Sequence, residues 1–481
     1  MRTSLLGLAP VAALMLSAAG CAVNPVTGER ELALISEAQE IQMGQQAAEQ
    51  VEASLGLVDD AGLQSYVRRI GQQLAAASER PSLPWRFGVI EDPTPNAFAL
   101  PGGFIYVTRG LLTLMDTEAE LASVLGHEIG HVTARHSVSA ISRAQLAQLG
   151  FGLGSVLFPE LGGVAQIAGA GMELLFLKYG RDDENQADDL GFRYALTEGY
   201  DVREMADVFT ALRRSSELAG QSPVPGWLST HPDPGDRIEN VQARISALNR
   251  SLDGLRVERA AYMDQLDGLV FGDNPRNGFF EGSAFLHPDL RFRIDFPSGW
   301  QAQNLPQAVM AGSPQQDALI ELTLAQGADA AAAAQQFFGQ EGINAGSVSR
   351  QTVNGNPAVT GYFEAQTQSG TLRGLAVFIT YGGRAYRLLG YAPANRFASY
   401  DSALRQSLTS FRPLTDARAL AVQPDRIRVV RPTTSLTLRE FAQRYPSAIE
   451  LDLLALINQV ASADVRVPAA TPLKQVVSGS E

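Results

Sequence analysis

Apolar residues along this chain follow two rhythms. Leu121, Val124, Leu125 and Val132 recur at helical spacing, and Thr117 with Glu120 forms a T-x-x-E capping box ahead of them, which predicts a core helix over 121–136. Upstream, 35–57 and 61–77 read as amphipathic helices, while 85–89 and 104–107 read as short strands joined through NAFALPGG at 96–103. The stretch 149–177 is apolar and glycine-rich, but Pro159, Glu160 and repeated glycines interrupt it. A membrane span is not expected there, and buried packing is preferred over a lid on a cleft. Beyond 253 a helix-like stretch runs into a linker rich in Asn, Pro and Gly. The rhythm then changes to alternation, at 292–296, 318–324, 359–364, 375–381 and 386–391, with helices near 330–338 and 397–408. That is a small antiparallel α+β unit.

Length and composition agree with several globular units. At 481 residues, 45% hydrophobic and 19% charged, the chain can bury two or three cores. A formal net charge of −13 argues against nucleic acid as a partner and against adsorption on anionic lipid. Lysine occurs only at Lys178 and Lys474. Residues 1–20 carry Arg2, an apolar run from Leu5 to Leu16 and then small residues, as a secretory signal does, and the run is too short to span a membrane. The signal ends in LSAAGC, which resembles a bacterial lipobox. Cys21 is the only cysteine, so no disulfide forms within the chain, and a lone thiol at a signal boundary reads as a lipidation site. Ala22 is not the aspartate that commonly retains lipoproteins at the inner membrane, which points to the periplasmic face of the outer membrane.

Candidate chemistry concentrates on the predicted core helix. His127, Glu128 and His131 form H-E-x-x-H, and i, i+4 spacing sets two imidazoles on one face about 6 Å apart along the axis, suited to one zinc ion. Glu128 can then take a proton from the attacking water. A catalytic zinc site wants a third protein ligand and an open position. The pattern with a third histidine fails, because Ala134 and Ser137 stand where its glycine and histidine would be. A later acidic run, YGRDDENQADDLG at 179–191, offers Glu184 as the metal ligand. Asp188, one turn on, can accept the second ring N–H of a ligating histidine.

HEIGHVTARH followed by YGRDDENQAD resembles the HtpX-like and BepA-like zinc metallopeptidases, whose signature is an HExxHV-x-x-RH helix and an SR-x-x-E-x-E-A-D helix. Gly180 replaces the usual serine and Gln186 the second glutamate; neither removes a presumed ligand. STHPDPGDRI at 229–238 is similar to a third family segment. The resemblance spans 24–245. It implies that His231 sits near the metal, either filling the fourth position at rest or steadying the oxyanion, and that Arg237 neutralises transition-state charge. It also implies an edge strand after NAFALPGG that binds an extended peptide by main-chain hydrogen bonds. No 34-residue helical repeat follows, so the partners of BepA-like members with repeats are not carried over.

The expected fold class is α+β: a signal peptide at 1–20, a mainly helical gluzincin-type metallopeptidase domain with a small sheet at 21–252, a helical linker at 253–282, a small α+β domain at 283–415 and a LysM-like module at 425–478. FPSGW at 296–300 resembles PsbP-like domains, with His287 taken as structural, and the LysM likeness would imply peptidoglycan as a partner. The expected function is a zinc-dependent endopeptidase holding one ion, anchored in the bacterial envelope, that degrades misfolded or misassembled envelope proteins. Two rivals come from other classes: a holdase with structural zinc, and a wall-associated scaffold.

Overall fold

A computed structural model describes residues 21–32, 34–151, 177–219, 226–231, 234–367 and 370–479. The expected signal segment 1–20 and nearly all of the apolar stretch 149–177 lie outside the described residues. The chain divides into two units, Met1–Gly272 with Asp425–Ser478, and Asp273–Pro424 with Gly479–Glu481. Both mix helices and sheet, as the α+β expectation has it. Among the described residues no helix is long and apolar enough to cross a membrane.

The first unit opens with a hairpin of β1 (Cys21–Val23) and β2 (Arg30–Leu32), then helices α1 (Glu37–Leu55) and α2 (Ala61–Ala76). Strands β3 (Arg86–Ile90), β4 (Ala97–Leu100) and β5 (Phe104–Thr108) form a sheet in the order β3-β5-β4, with β3 parallel and β4 antiparallel to β5. The strand that follows NAFALPGG, β5, was expected at the edge but lies at the centre of the sheet, paired on both sides; the edge strand is β4, formed by residues within NAFALPGG itself. After the short α3 (Arg109–Leu114) comes α4 (Glu118–Thr133), which carries the H-E-x-x-H motif and whose residues are all buried. Helices α5 (His136–Phe151), α6 (Arg181–Thr197), α7 (Glu204–Ala219), α8 (Trp227–Thr230), α9 (Pro234–Ala247) and α10 (Arg259–Leu266) follow.

Helix α4 is built as its sequence demands. Thr117 accepts from the Glu120 N–H at 3.1 Å and the Glu120 carboxylate accepts from the Thr117 N–H at 2.8 Å, closing the capping box. Leu121, Leu125 and Ile129 pack into one core with Val67 and Ile70 of α2, Val89 of β3 and Leu190 of α6. At the far end Arg80, itself buried against Glu40, donates to the Val132 carbonyl at 2.9 Å, and Asn24 donates to that of Ala134 at 3.3 Å. The first end of the motif helix is therefore fixed locally and the far end by groups distant in sequence.

Of the expected linker 253–282, residues 253–272 lie in the first unit together with the expected module at 425–478, and 273–282 fall in the second. Strand Arg426–Val430 pairs with Leu473–Val477, with helices Leu438–Arg444 and Leu451–Ile457 between them. Ile427, Phe441, Leu454, Ile457 and Val476 join the same core as α4, so this segment has no apolar centre of its own to stand on. Lys474, with 0% exposure, donates to the carbonyls of Thr113 (2.8 Å) and Met115 (2.7 Å) and pairs with Asp116 at 2.8 Å, just ahead of the Thr117 cap. Gln459 donates to the Leu114 carbonyl at 2.9 Å. Tyr262 of α10 is buried and donates to the Leu112 carbonyl at 2.8 Å.

In the second unit a seven-stranded antiparallel sheet runs in the order Ile343–Val353, Asn356–Thr367, Gly370–Tyr381, Arg384–Pro393, Leu319–Leu324, Val309–Gly312, Gln301–Asn304. Period-2 alternation puts Val377 and Ile379 with Leu404 and Leu408 of helix Phe397–Leu408, and Ala376 and Phe378 with Ala333 and Phe337 of helix Ala330–Phe338. The two faces of the sheet are thus covered by different helices. His287 accepts from the Leu290 N–H at 3.2 Å, and burial pushes it down to about 4, which makes it a neutral structural group.

Candidate metal centre

Two helices make the site because glycine lets them touch. A Cβ on Gly126 would lie 3.0 Å from the Gly191 carbonyl oxygen, one on Gly130 would lie 3.0 Å from Ala187 Cα, and one on Gly191 would lie 2.7 Å from His127 N. Without side chains at those points α6 lies directly on α4, which sets Glu184 and Asp188 beside His127 and His131. Strand β4 packs on the same helix.

His127, His131, Glu184 and His231 are all buried, and one ligand atom from each lies within 4.8 Å of the others. The Nε2 atoms of His127 and His131 face each other at 3.0 Å. From Glu184, Oε2 is 3.6 Å from His127 Nε2 and Oε1 is 3.5 Å from His131 Nε2. His231, from the turn after α8, has its Nδ1 2.8 Å from Glu184 Oε1 and 3.3 Å from His127 Nε2. Glu128 points into the same space, 3.6 Å from His231 Nε2. Arg237 of α9 grips Asp188 through Nε (2.8 Å) and Nη2 (2.6 Å), and its Nη1 is 3.4 Å from Glu184 Oε2. The structure thus gathers each of the expected residues His127, Glu128, His131, Glu184, Asp188, His231 and Arg237 at one point. Cys21 begins β1, away in sequence from this cluster.

Charge states follow from the surroundings. Burial, helped by Arg237, pushes His127 down to about 4, and burial with the neighbouring imidazoles pushes His131 well below its ordinary value. Both rings are neutral near pH 7. Burial also opposes charge on His231, but the Glu184 and Glu128 carboxylates outweigh it and raise this histidine. Burial drives Glu128 up to about 7 despite the pull of His231. For Asp188 burial loses to Arg237 and His127, which hold its carboxyl well below the usual range. Glu184 is likewise lowered, burial being overcome by His231, His127 and Arg237.

The arrangement fits a divalent cation. His127 Nδ1 faces both Asp188 Oδ1 at 2.8 Å and Arg237 Nη2 at 3.1 Å; the guanidinium has its closer acceptor in Asp188 Oδ1 at 2.6 Å, and the nearer carboxylate, which can only accept, takes the Nδ1 hydrogen and leaves Nε2 the lone pair. Two ring nitrogens that face each other at 3.0 Å, with Glu128 Oε1 and Glu184 Oε2 buried and lacking hydrogen-bond partners, leave acceptors without a donor. Ligands about 2.0–2.1 Å from a tetrahedral zinc sit about 3.3–3.4 Å apart, close to the observed separations.

Sequence reasoning expected Asp188 behind a histidine of the pair but missed the groups around His131, His231 and Arg237. His136 Nδ1 is 2.9 Å from His131 Nδ1, and Gln186 Oε1 is 2.8 Å from His136 Nε2. Tyr179 stacks on His131 with ring centroids 4.1 Å apart, Trp227 stacks on His231 at 4.3 Å, and Phe209 lies 4.1 Å beneath the Arg237 guanidinium. The signal for His136 was available, since three of the chain's five histidines fall between 127 and 136. The aromatic contacts had none, for they come from other parts of the chain.

Residues 62–245 match the model of peptidase family M48. A "Beta-barrel assembly-enhancing protease" of Yersinia pestis is 32% identical over 233 residues, 47% of this chain and 47% of that protein. A "Mitochondrial metalloendopeptidase OMA1" of Arabidopsis thaliana is 32% identical over 199 residues, 41% of this chain and 39% of that one. The chain thus spans about half the length, or less, of these curated relatives. Among solved structures, cyanobacterial PsbP from Synechocystis aligns with 28% of this chain at 13% identity and a TM-score of 0.24, too low to carry weight.

Proposed function

We propose, from the premise that residues 62–245 belong to peptidase family M48, that this protein is a zinc-dependent endopeptidase of the bacterial envelope acting on misfolded or misassembled envelope proteins. The observation that carries the reading is the facing pair of imidazole Nε2 atoms, 3.0 Å apart, with the Glu184 carboxylate 3.5 and 3.6 Å from them. In this reading His127, His131 and Glu184 hold one zinc ion as a gluzincin-type set. When bound, the ion supplies Lewis acidity, polarising a peptide carbonyl and lowering the pKa of water at the open position.

The chain's own residues do the rest. Glu128, buried beside the ligands and 3.6 Å from His231 Nε2, is placed to take a proton from the attacking water and pass it to the leaving amine. His231 and Arg237 bring positive charge to the side of the cluster where an oxyanion develops. Asp188, ionised and fixed by Arg237, holds the His127 ring. Edge strand β4 offers main-chain groups to an extended substrate, a mode that reads backbone more than sequence.

The remaining assignments rest on the sequence: lipidation at Cys21 and residence on the periplasmic face of the outer membrane. We assign 425–478, strand–helix–helix–strand like a LysM module, to capping the peptidase core rather than to holding peptidoglycan, because its helices are spent on that core.

Glu128→Gln tests the chemistry. The variant should keep its zinc and its fold while casein turnover falls by at least 10²-fold, the lower end of what a general base contributes. Unchanged turnover would refute proteolysis at this site and favour a holdase.

A further inference from the structure

We propose that Gln186 and His136 are positioning residues for the metal: through two hydrogen bonds they decide which nitrogen of His131 is free to bind. The inference rests on the reading of His127, His131 and Glu184 as metal ligands.

Hydrogen counting carries it. His131 Nδ1 and His136 Nδ1 face each other at 2.9 Å, so a single hydrogen lies between them. On its other side His136 Nε2 is 2.8 Å from Gln186 Oε1. A carbonyl oxygen only accepts, so His136 Nε2 carries a hydrogen, and in the neutral ring its Nδ1 is then an acceptor. His131 Nδ1 must therefore donate. Its Nε2 is left with a lone pair aimed at the cluster, 3.0 Å from His127 Nε2. Other groups near His136 do not take this part: Asp183 Oδ1 is 3.8 Å from His136 Nε2, and the Tyr179 hydroxyl is engaged with Ser137 Oγ at 2.8 Å.

The two histidine arms are not equivalent. His127 is set by Asp188, a carboxylate that can only accept. His131 is set by an amide, which has an accepting and a donating end. Turned over, Gln186 would donate to His136 Nε2, move the hydrogen to His136 Nδ1, and force His131 to accept at Nδ1 and carry its hydrogen on Nε2. That tautomer cannot ligate. The amide at 186 is thus the point where the ligand set can be switched off, and a carboxylate there would remove the switch.

Gln186 is only half-buried, so it can be changed without opening the core. The experiment measures zinc affinity by chelator competition, and the His131 tautomer by nitrogen NMR of the metal-free protein labelled at histidine. Wild type, Gln186→Leu, Gln186→Glu and His131→Ala are compared. Loss of a hydrogen-bond partner behind a ligating histidine costs about 10–100-fold in metal affinity; two bonds removed, Gln186→Leu should weaken zinc about tenfold and mix the His131 tautomers. Gln186→Glu should bind at least as tightly as wild type, with the hydrogen held on Nδ1. Wild-type affinity in Gln186→Leu, or a Gln186→Glu variant as weak as Gln186→Leu, would overturn the relay. His131→Ala separates the two levels: if it keeps full zinc affinity, the ligand assignment itself fails.

Discussion

The closeness of α4 and α6 can be tested with one methyl group. In Gly191→Ala the new Cβ would meet His127 N at 2.7 Å, Gly126 C at 2.9 Å and His127 Cα at 3.0 Å, all backbone atoms that cannot rotate away. The shortest of these is about 0.7 Å inside the 3.4 Å where ordinary contact begins, so the helices must separate by a comparable amount. Overpacking of this kind costs about 1–3 kcal/mol, or a fall in Tm of roughly 5 °C for a unit of this size. The metal site should suffer more than the fold, because Glu184 and Asp188 ride on the displaced helix and metal–ligand distances tolerate only about 0.2 Å. Zinc affinity is therefore expected to drop at least tenfold, about 1.4 kcal/mol, by chelator competition. Gly180→Ser is the control: the backbone there has φ −77°, and a Cβ meets nothing nearer than 3.6 Å, so affinity should not change. A Gly191→Ala protein with wild-type Tm and zinc affinity would refute the claim that backbone contact between the helices places the carboxylate.

The C-terminal segment gives another prediction. Lys474→Met strips a fully buried ion pair and two carbonyls of their donor ahead of the α4 cap, which should cost about 3–5 kcal/mol and lower the Tm of the whole first unit; a melting curve like that of wild type would show that 425–478 does not support the peptidase. Acid sensitivity should involve Glu118: burial opposes its charge, but the Tyr200 hydroxyl at 2.7 Å and Arg69 at 3.0 Å outweigh burial and lower it. Ionised Glu118 thus stabilises the fold above the unfolded value of about 4.3, and that contribution is lost as the pH falls through the lower folded value. Urea unfolding should show Glu118→Gln behind wild type at about pH 7, with the gap narrowing as the pH falls below the unfolded value of about 4.3; a constant gap would contradict this.

What the sequence made legible was local. A capping box and an i, i+4 histidine pair rest on spacing within one or two turns, and Thr117, Glu120, His127 and His131 stand where those rules put them, whereas Glu184 was read from a distant acidic run and no local spacing ties it to the histidines. In the second unit alternation marked the buried strands Leu319–Leu324, Gly370–Tyr381 and Arg384–Pro393. It was silent for Ile343–Val353, whose residues are nearly all exposed and so carry no apolar rhythm. The sharing of one core between 425–478 and α4 was equally hidden, because Lys474 reads as a surface residue until its three acceptors are known. Stacking of Tyr179 and Trp227 on the histidines depends on chain paths that no short-range pattern encodes.

The central claim is that two imidazoles and one carboxylate from separate helices hold a single ion, and metal analysis of Glu184→Ala beside wild type tests it most directly. Wild type should carry one zinc per chain after dialysis against a weak chelator, and the variant, with unchanged circular dichroism, should carry almost none. A Glu184→Ala protein that keeps its full complement of zinc would contradict the account.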